Sequence, residues 1–144
     1  MFKQKILYIL IFSFFVTSCV YFNTFYNAQD SYKKALKIIE ESPPTTDNKL
    51  PSQADKLLVE AIENSKLVVL NYPENKLVDD AMYIIARSSL LRNEISVAKN
   101  NFEKIINLYP DSEYFDLSQI WFLYTKFRMG FINDSFFDLD SMKI

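Results

Sequence analysis

Histidine is absent from all 144 residues. Its absence excludes Ser-His and Cys-His nucleophile pairs, His-ligated metal sites and the commonest general base. Cys19 is the only cysteine, so no disulfide can close within the chain. Gly130 is the only glycine. A β-sandwich or barrel draws on many Gly-rich turns, so this composition points to helices joined by short polar turns. A Gly-rich ligand loop is excluded on the same ground. No excess of basic charge is present either: 16 Lys and Arg face 18 Asp and Glu. A nucleic-acid binder would show a basic face. What is abundant is apolar surface, at 49% of residues, with thirteen Phe and nine Tyr. That suffices for one domain with a ring-rich core.

The N-terminus has its own pattern. Met1 to Lys5 is a short basic start, and Ile6 to Val16 is apolar except for Ser13. This run is about half the length a membrane-spanning helix needs. Val16, Thr17, Ser18 and Cys19 follow. A basic start, a short apolar run and small residues at the end make a secretory signal. Val-Thr-Ser-Cys resembles the lipobox of bacterial lipoproteins. The resemblance implies diacylglycerol transfer to the Cys19 sulfur, cleavage after Ser18 and acylation of the new amine. A thiolate is the best side-chain nucleophile for accepting a lipid, and two or more acyl chains hold a protein stably on a membrane. The expected segments are therefore a signal peptide at 1–18, a lipidated tether at 19–22 and a helical domain at 23–144, which is also readable as the start of a longer repeat array. Lys3 and Lys5 leave with the signal, so the mature chain carries net −4. Val20 follows the cysteine, where Asp would signal inner-membrane retention. The outer membrane, on its periplasmic face, is the expected location.

Apolar residues beyond Tyr21 recur at steps of three and four, the period of a helix with one buried face. Phe25, Ala28, Tyr32, Ala35, Leu36 and Ile39 predict a helix from about Asn23 to Glu41. Residues 42–52 hold Pro43, Pro44 and Pro51 and read as a loop. A second helix is expected from near Gln53, with Ser52 and Asp55 arranged like a capping pair. Its stripe is Ala54, Leu57, Leu58, Ala61, Ile62, Ser65, Val68 and Val69, and Tyr72-Pro73 ends it. A third helix is expected over about Leu77–Leu91, broken by Asn93. A fourth runs to about Leu108 through Ile95, Ala98, Phe102, Ile105 and Ile106, and ends at Tyr109-Pro110. A fifth covers about Tyr114–Met129, closed by Gly130, and a weaker sixth spans about Asp134–Lys143.

The two Tyr-Pro ends reveal an internal repeat. Asn-Tyr-Pro-Glu-Asn at 71–75 returns as Leu-Tyr-Pro-Asp-Ser at 108–112, an offset of 37 residues. Ala61 precedes Pro73 by the same twelve residues that separate Ala98 from Pro110, and Phe102 follows Ala98 by four. Small residues let two helices touch, and large ones fill the groove beside them. This spacing resembles the tetratricopeptide repeat (TPR), over roughly residues 23 to 144. The resemblance places Met82, Ile85, Ala86 and Ser89 on the packing face of a first helix. It implies an all-α, TPR-like solenoid of about three helical hairpins. A lipobox joined to such repeats resembles the TPR lipoprotein of the outer-membrane β-barrel assembly machinery, and the repeat proteins that work with the Tol–Pal system.

Solenoids of this kind work through their concave surface. Carried onto this sequence, the groove positions are Asp80, Tyr83, Arg87 and Leu90, and 37 residues later Leu117, Ile120, Tyr124 and Phe127. Tyr83 and Arg87 are expected to face outward and to be dispensable for folding. Other candidates carry less. Asp79 and Asp80 are neighbours on a helix and point apart. Asp134, Asp138 and Asp140 lack the Gly and closing Glu of a calcium loop. Tyr21, Phe22, Phe25 and Tyr26 stand just past the lipid, where rings favour the membrane interface, although packing of Phe25 against the second helix fits equally. The apolar Phe136, Phe137 and Met142 predict a frayed or self-associating end. The expected function is non-enzymatic: a lipid-anchored scaffold or adaptor binding other envelope proteins, with no cofactor, metal, nucleic acid or small-molecule substrate. The alternative is a non-catalytic subunit or substrate-binding lipoprotein of an envelope enzyme or transport complex.

Overall fold

The computed structural model describes residues 2–43 and 49–131, with side chains from residue 22 onward. Five helices follow one another: α1 Phe2–Glu41, α2 Ser52–Asn71, α3 Val78–Leu91, α4 Ile95–Leu108 and α5 Phe115–Arg128. No strand occurs among the described residues, and the chain is all-α. Each helix packs on the next in sequence, and α1 also touches α3. The expected sixth helix, with Asp134, Asp138, Asp140, Phe136, Phe137 and Met142, lies outside the described residues.

Helix α1 is longer than the apolar stripe predicts. It begins at Phe2 rather than near Asn23. The reason is local: neither Gly nor Pro occurs between residues 1 and 42, so nothing interrupts the backbone ladder. Among the described residues, no helix is long and apolar enough to cross a membrane. The N-terminus of α2 also departs from expectation. Pro51 is its N-cap, no side chain caps it, and the Asp55 amide donates to the Pro51 carbonyl at 2.9 Å. Proline is tolerated here because the first amides of a helix lack intrahelical acceptors.

The 37-residue offset is written into the backbone. At the end of α3, the amides of Arg92, Asn93 and Glu94 donate to the carbonyls of Ser88, Leu90 and Ser89 at 3.1, 3.0 and 2.8 Å. At the end of α5, the amides of Met129, Gly130 and Phe131 donate to those of Thr125, Phe127 and Lys126, each at 3.0 Å. Every donor and acceptor in the second set lies 37 residues after its counterpart. Asn93 (φ 63°) and Gly130 (φ 89°) hold the same left-handed position, the conformation that ends many helices and that Asn and Gly tolerate best. The Tyr-Pro turns repeat likewise. Tyr72 donates to Val68 at 3.0 Å and Tyr109 to Ile105 at 2.9 Å. Asn75 Oδ1 then accepts the Leu77 amide at 3.2 Å, as Ser112 Oγ accepts that of Tyr114 at 3.1 Å.

The core is three contiguous clusters. Phe25, Ala28, Ala61, Val68, Ala81 and Ile84 join α1, α2 and α3. Ala86, Leu90, Ala98 and Phe102 join α3 to α4, with Trp121 and Phe122 of α5 laid over them. Val78, Met82 and Ile105 close the third. Ala28, Ala35, Ala54, Ala61, Ala81, Ala86 and Ala98 are wholly buried, so the helices approach closely wherever they cross. Ser65, Ser88, Ser89 and Ser118 are buried as well, with hydroxyls that find no partner in the fold.

Candidate interaction face

Helices α1, α3 and α5 contribute side chains to one shared surface. Tyr83 of α3 stacks on Tyr114, the residue before α5, with ring centroids 4.2 Å apart and planes 18° from parallel. Its edge meets Phe102 at 6.2 Å. One turn on, the Arg87 guanidinium lies 3.7 Å from the centre of the Trp121 ring. The Tyr32 hydroxyl of α1 lies close enough to interact with it as well. Tyr32, Arg87 and Trp121 thus form a row across three helices. Trp121 in turn meets Tyr124 edge-on at 5.8 Å, which extends the row to the outer surface of α5.

The electrostatics of this face are uneven. Arg87 is half-buried, and no carboxylate lies within ion-pairing distance of it among the described residues. At the other end of α3, Asp80 is half-buried and has no cation beside it by the same measure. Burial pushes the Asp80 carboxyl up to about 6, and the charges of Asp79 and Glu113 add to the shift. Burial is therefore working against ionisation of Asp80. Burial also raises the Tyr114 hydroxyl, with the Asp80 and Glu113 charges acting in the same direction. Tyr32 and Tyr83 are raised by burial too, which Arg87 opposes in both.

The expected groove residues divide into two groups. Asp80, Tyr83 and Arg87 lie together on the α1–α3–α5 face, but Leu90 does not: it is 8% exposed and sits in the core with Ala86, Ala98 and Phe102. An aliphatic side chain three residues after Arg87 buries more surface turned toward α4 than toward water. Tyr83 is also more structural than expected, because its ring packs against two core clusters. The second set is more exposed than its counterparts 37 residues earlier. Leu117, Ile120, Tyr124 and Phe127 are 45%, 53%, 39% and 52% exposed and form a stripe along α5. Of the rings that follow Cys19, Phe25 is buried against α2, while Phe22 and Tyr26 are exposed. Cys19 lies within α1, ahead of the described side chains.

Sequence periodicity missed Tyr32, Tyr114 and Trp121 as members of this face. Their meeting depends on contacts between helices more than thirty residues apart. Tyr114 was findable in principle, as the 37-residue counterpart of Leu77.

A second concavity, about 620 Å³ and open, is lined by Lys49, Leu50, Ser52, Asp55, Leu91, Arg92 and Asn93. Of its two cations, Arg92 is engaged within the fold. Arg92 is hydrogen-bonded to Asp55 through both the carboxylate and the backbone carbonyl, and to Glu94 at 2.9 Å. This cluster joins the start of α2 to the turn after α3. Among the described residues, no three acidic or cysteine side chains gather as metal ligands. Comparison with protein-family models, with curated proteins and with solved structures finds no match to this chain.

Proposed function

We propose that this chain is a cell-envelope lipoprotein, anchored by lipid on Cys19, whose TPR-like solenoid of about three hairpins holds another envelope protein on its concave face. The observation that carries this reading is the bond-for-bond recurrence at 37 residues of the α3 and α5 ends. Repeated hairpins place every first helix on one side, and such a surface is extended and suited to a partner chain. The row from Tyr32 through Arg87 and Trp121 to Tyr124 supports the same assignment, because Tyr, Trp and Arg dominate binding hot spots. Outer-membrane protein assembly is the envelope process this combination fits best. The protein acts as a scaffold rather than an enzyme.

The anchor is tested by labelling. Cells expressing the full chain are fed radiolabelled palmitate and then fractionated. Wild type is expected to carry label and to sediment with membranes, and Cys19→Ala to carry none and to remain unprocessed. Equal labelling of both chains would remove the anchor from this proposal.

A further inference from the structure

Among the described residues, two half-buried side chains of opposite charge on one helix, Asp80 and Arg87, have no ion-pair partner, and stacked rings lie between them. Asp80 and Arg87 are seven residues apart on α3, about 10 Å along its axis. Between and beside them lie Tyr83, Tyr114 and Trp121. Arg87 is stacked on Trp121, and Tyr32 lies beside it, so its guanidinium is positioned before any partner arrives. A preorganised group pays less ordering entropy on binding. Asp79, Asp80 and Glu113 give the first end an acidic field, and Arg87 gives the second a basic one.

The spacing selects the conformation of what fits. In a β-strand, side chains on one face are separated by about 6.6 or 13 Å, neither of which matches. In a polyproline II segment, residues i and i+3 share a face and lie about 9 Å apart. Aromatic-lined grooves are the usual docking surface for that conformation. An amphipathic helix would instead need an aliphatic floor, whereas this floor is made of Tyr, Trp, Asp and Arg.

We propose that the Asp80–Arg87 groove binds an extended, polyproline-like segment of a partner protein bearing a basic side chain and, three residues away, a carboxylate. The basic group sits at Asp80 and the carboxylate on Arg87. The proposal rests on the reading of this face as the partner-binding one, and it specifies the partner's chemistry.

Trp121 is the only tryptophan in the chain, so its fluorescence reports on the groove directly. The full-length protein in detergent micelles is titrated with two capped hexapeptides, Pro-Lys-Pro-Pro-Glu-Pro and the same peptide with Gln at both charged positions. The first is expected to shift Trp121 emission saturably and to bind at least tenfold tighter. The double variant, Asp80→Asn with Arg87→Gln, is expected to lose that preference. If that variant does not fold, the two single changes serve instead, each weakening the first peptide about five- to tenfold. Equal affinity for both peptides, binding that leaves Trp121 unchanged, or tighter binding of a helical peptide with the same charges seven residues apart overturns the proposal. No binding of either peptide, alongside partner crosslinks from this face in living cells, overturns the charge motif and leaves the proposed function standing.

Discussion

Replacing Phe102 with Ala is expected to lower stability by about 3–5 kcal/mol, the cost of emptying a filled aromatic site. Phe102 is fully buried. Its ring packs against Ala86, Leu90 and Ala98, meets the edge of Tyr83, and lies under Trp121 and Phe122. The cavity would open at the junction of α3, α4 and α5, where the small residues already bring the backbones together and little remains to collapse inward. For a domain of this size the loss corresponds to a fall in Tm on the order of 15–25 °C. Ala98→Leu, one turn earlier and also fully buried, is expected to cost about 1–3 kcal/mol by overpacking the same crossing. Ser65 is the internal control, because it occupies the Phe102 position one repeat earlier. Its hydroxyl is buried without a partner, so Ser65→Ala removes an unsatisfied group and should leave Tm unchanged or slightly raised. Thermal unfolding of the three variants checks all three outcomes. If Phe102→Ala melts with wild type, the core assignment is wrong.

Tyr83→Ala is expected to destabilise by about 1–3 kcal/mol, less than a wholly buried ring because one face of Tyr83 remains open. Two ring contacts are lost together, the stack on Tyr114 and the edge on Phe102. The stack joins α3 to the start of α5, so the loss loosens the packing of α5 as well as that of α3. A double-mutant cycle with Tyr114→Ala should show coupling of about 0.5–1.5 kcal/mol, the usual worth of an aromatic pair beyond its buried area. Arg87→Gln should behave differently. It removes one cation–ring contact at a half-exposed site, worth about 0.5–1 kcal/mol. Chemical denaturation of the four chains separates these effects. Coupling near zero would mean that the Tyr83–Tyr114 stack does not hold the hairpins together. Arg87→Gln is therefore the cleaner probe of binding, and Tyr83→Phe is the variant that keeps the packing while removing the hydroxyl.

Much of the fold was legible because the signals are local. The Tyr-Pro pairs mark the ends of α2 and α4, and Asn93 and Gly130 mark the ends of α3 and α5. The apolar stripes of α1 and α2 are buried as their period implies: Phe25, Ala28, Ala35, Leu58, Ala61 and Val68 all face the core. Where the reading failed, a neighbour in space decided the outcome. Leu90 was placed in the groove by repeat position, but α4 offers it an apolar partner. Tyr83 was read as dispensable because nothing in the sequence shows that Tyr114 lies across from it. The buried serines of α3 and α5 follow from close helix approach, which favours small side chains regardless of polarity. The extension of α1 back to Phe2 shows the limit of reading a sequence pattern as a boundary: Val16 to Cys19 holds no residue that breaks a helix. The outward apolar stripe of α5 was not legible from the offset, because Leu117, Ile120, Tyr124 and Phe127 occupy the positions of Asp80, Tyr83, Arg87 and Leu90, which are half-buried or, at Leu90, buried.

The central claim is that the face shared by α1, α3 and α5 is the working surface. Its most direct test is site-specific photocrosslinking in living cells. A photoreactive phenylalanine analogue is placed at Leu117 or Tyr124, exposed on the α5 stripe, and separately at Lys66 or Lys104, exposed on α2 and α4. The first two positions are expected to yield the same single protein adduct, lost on Arg87→Gln, and the second two to yield none. Adducts from Lys66 or Lys104 alone would contradict the account and assign partner binding to the opposite side of the molecule.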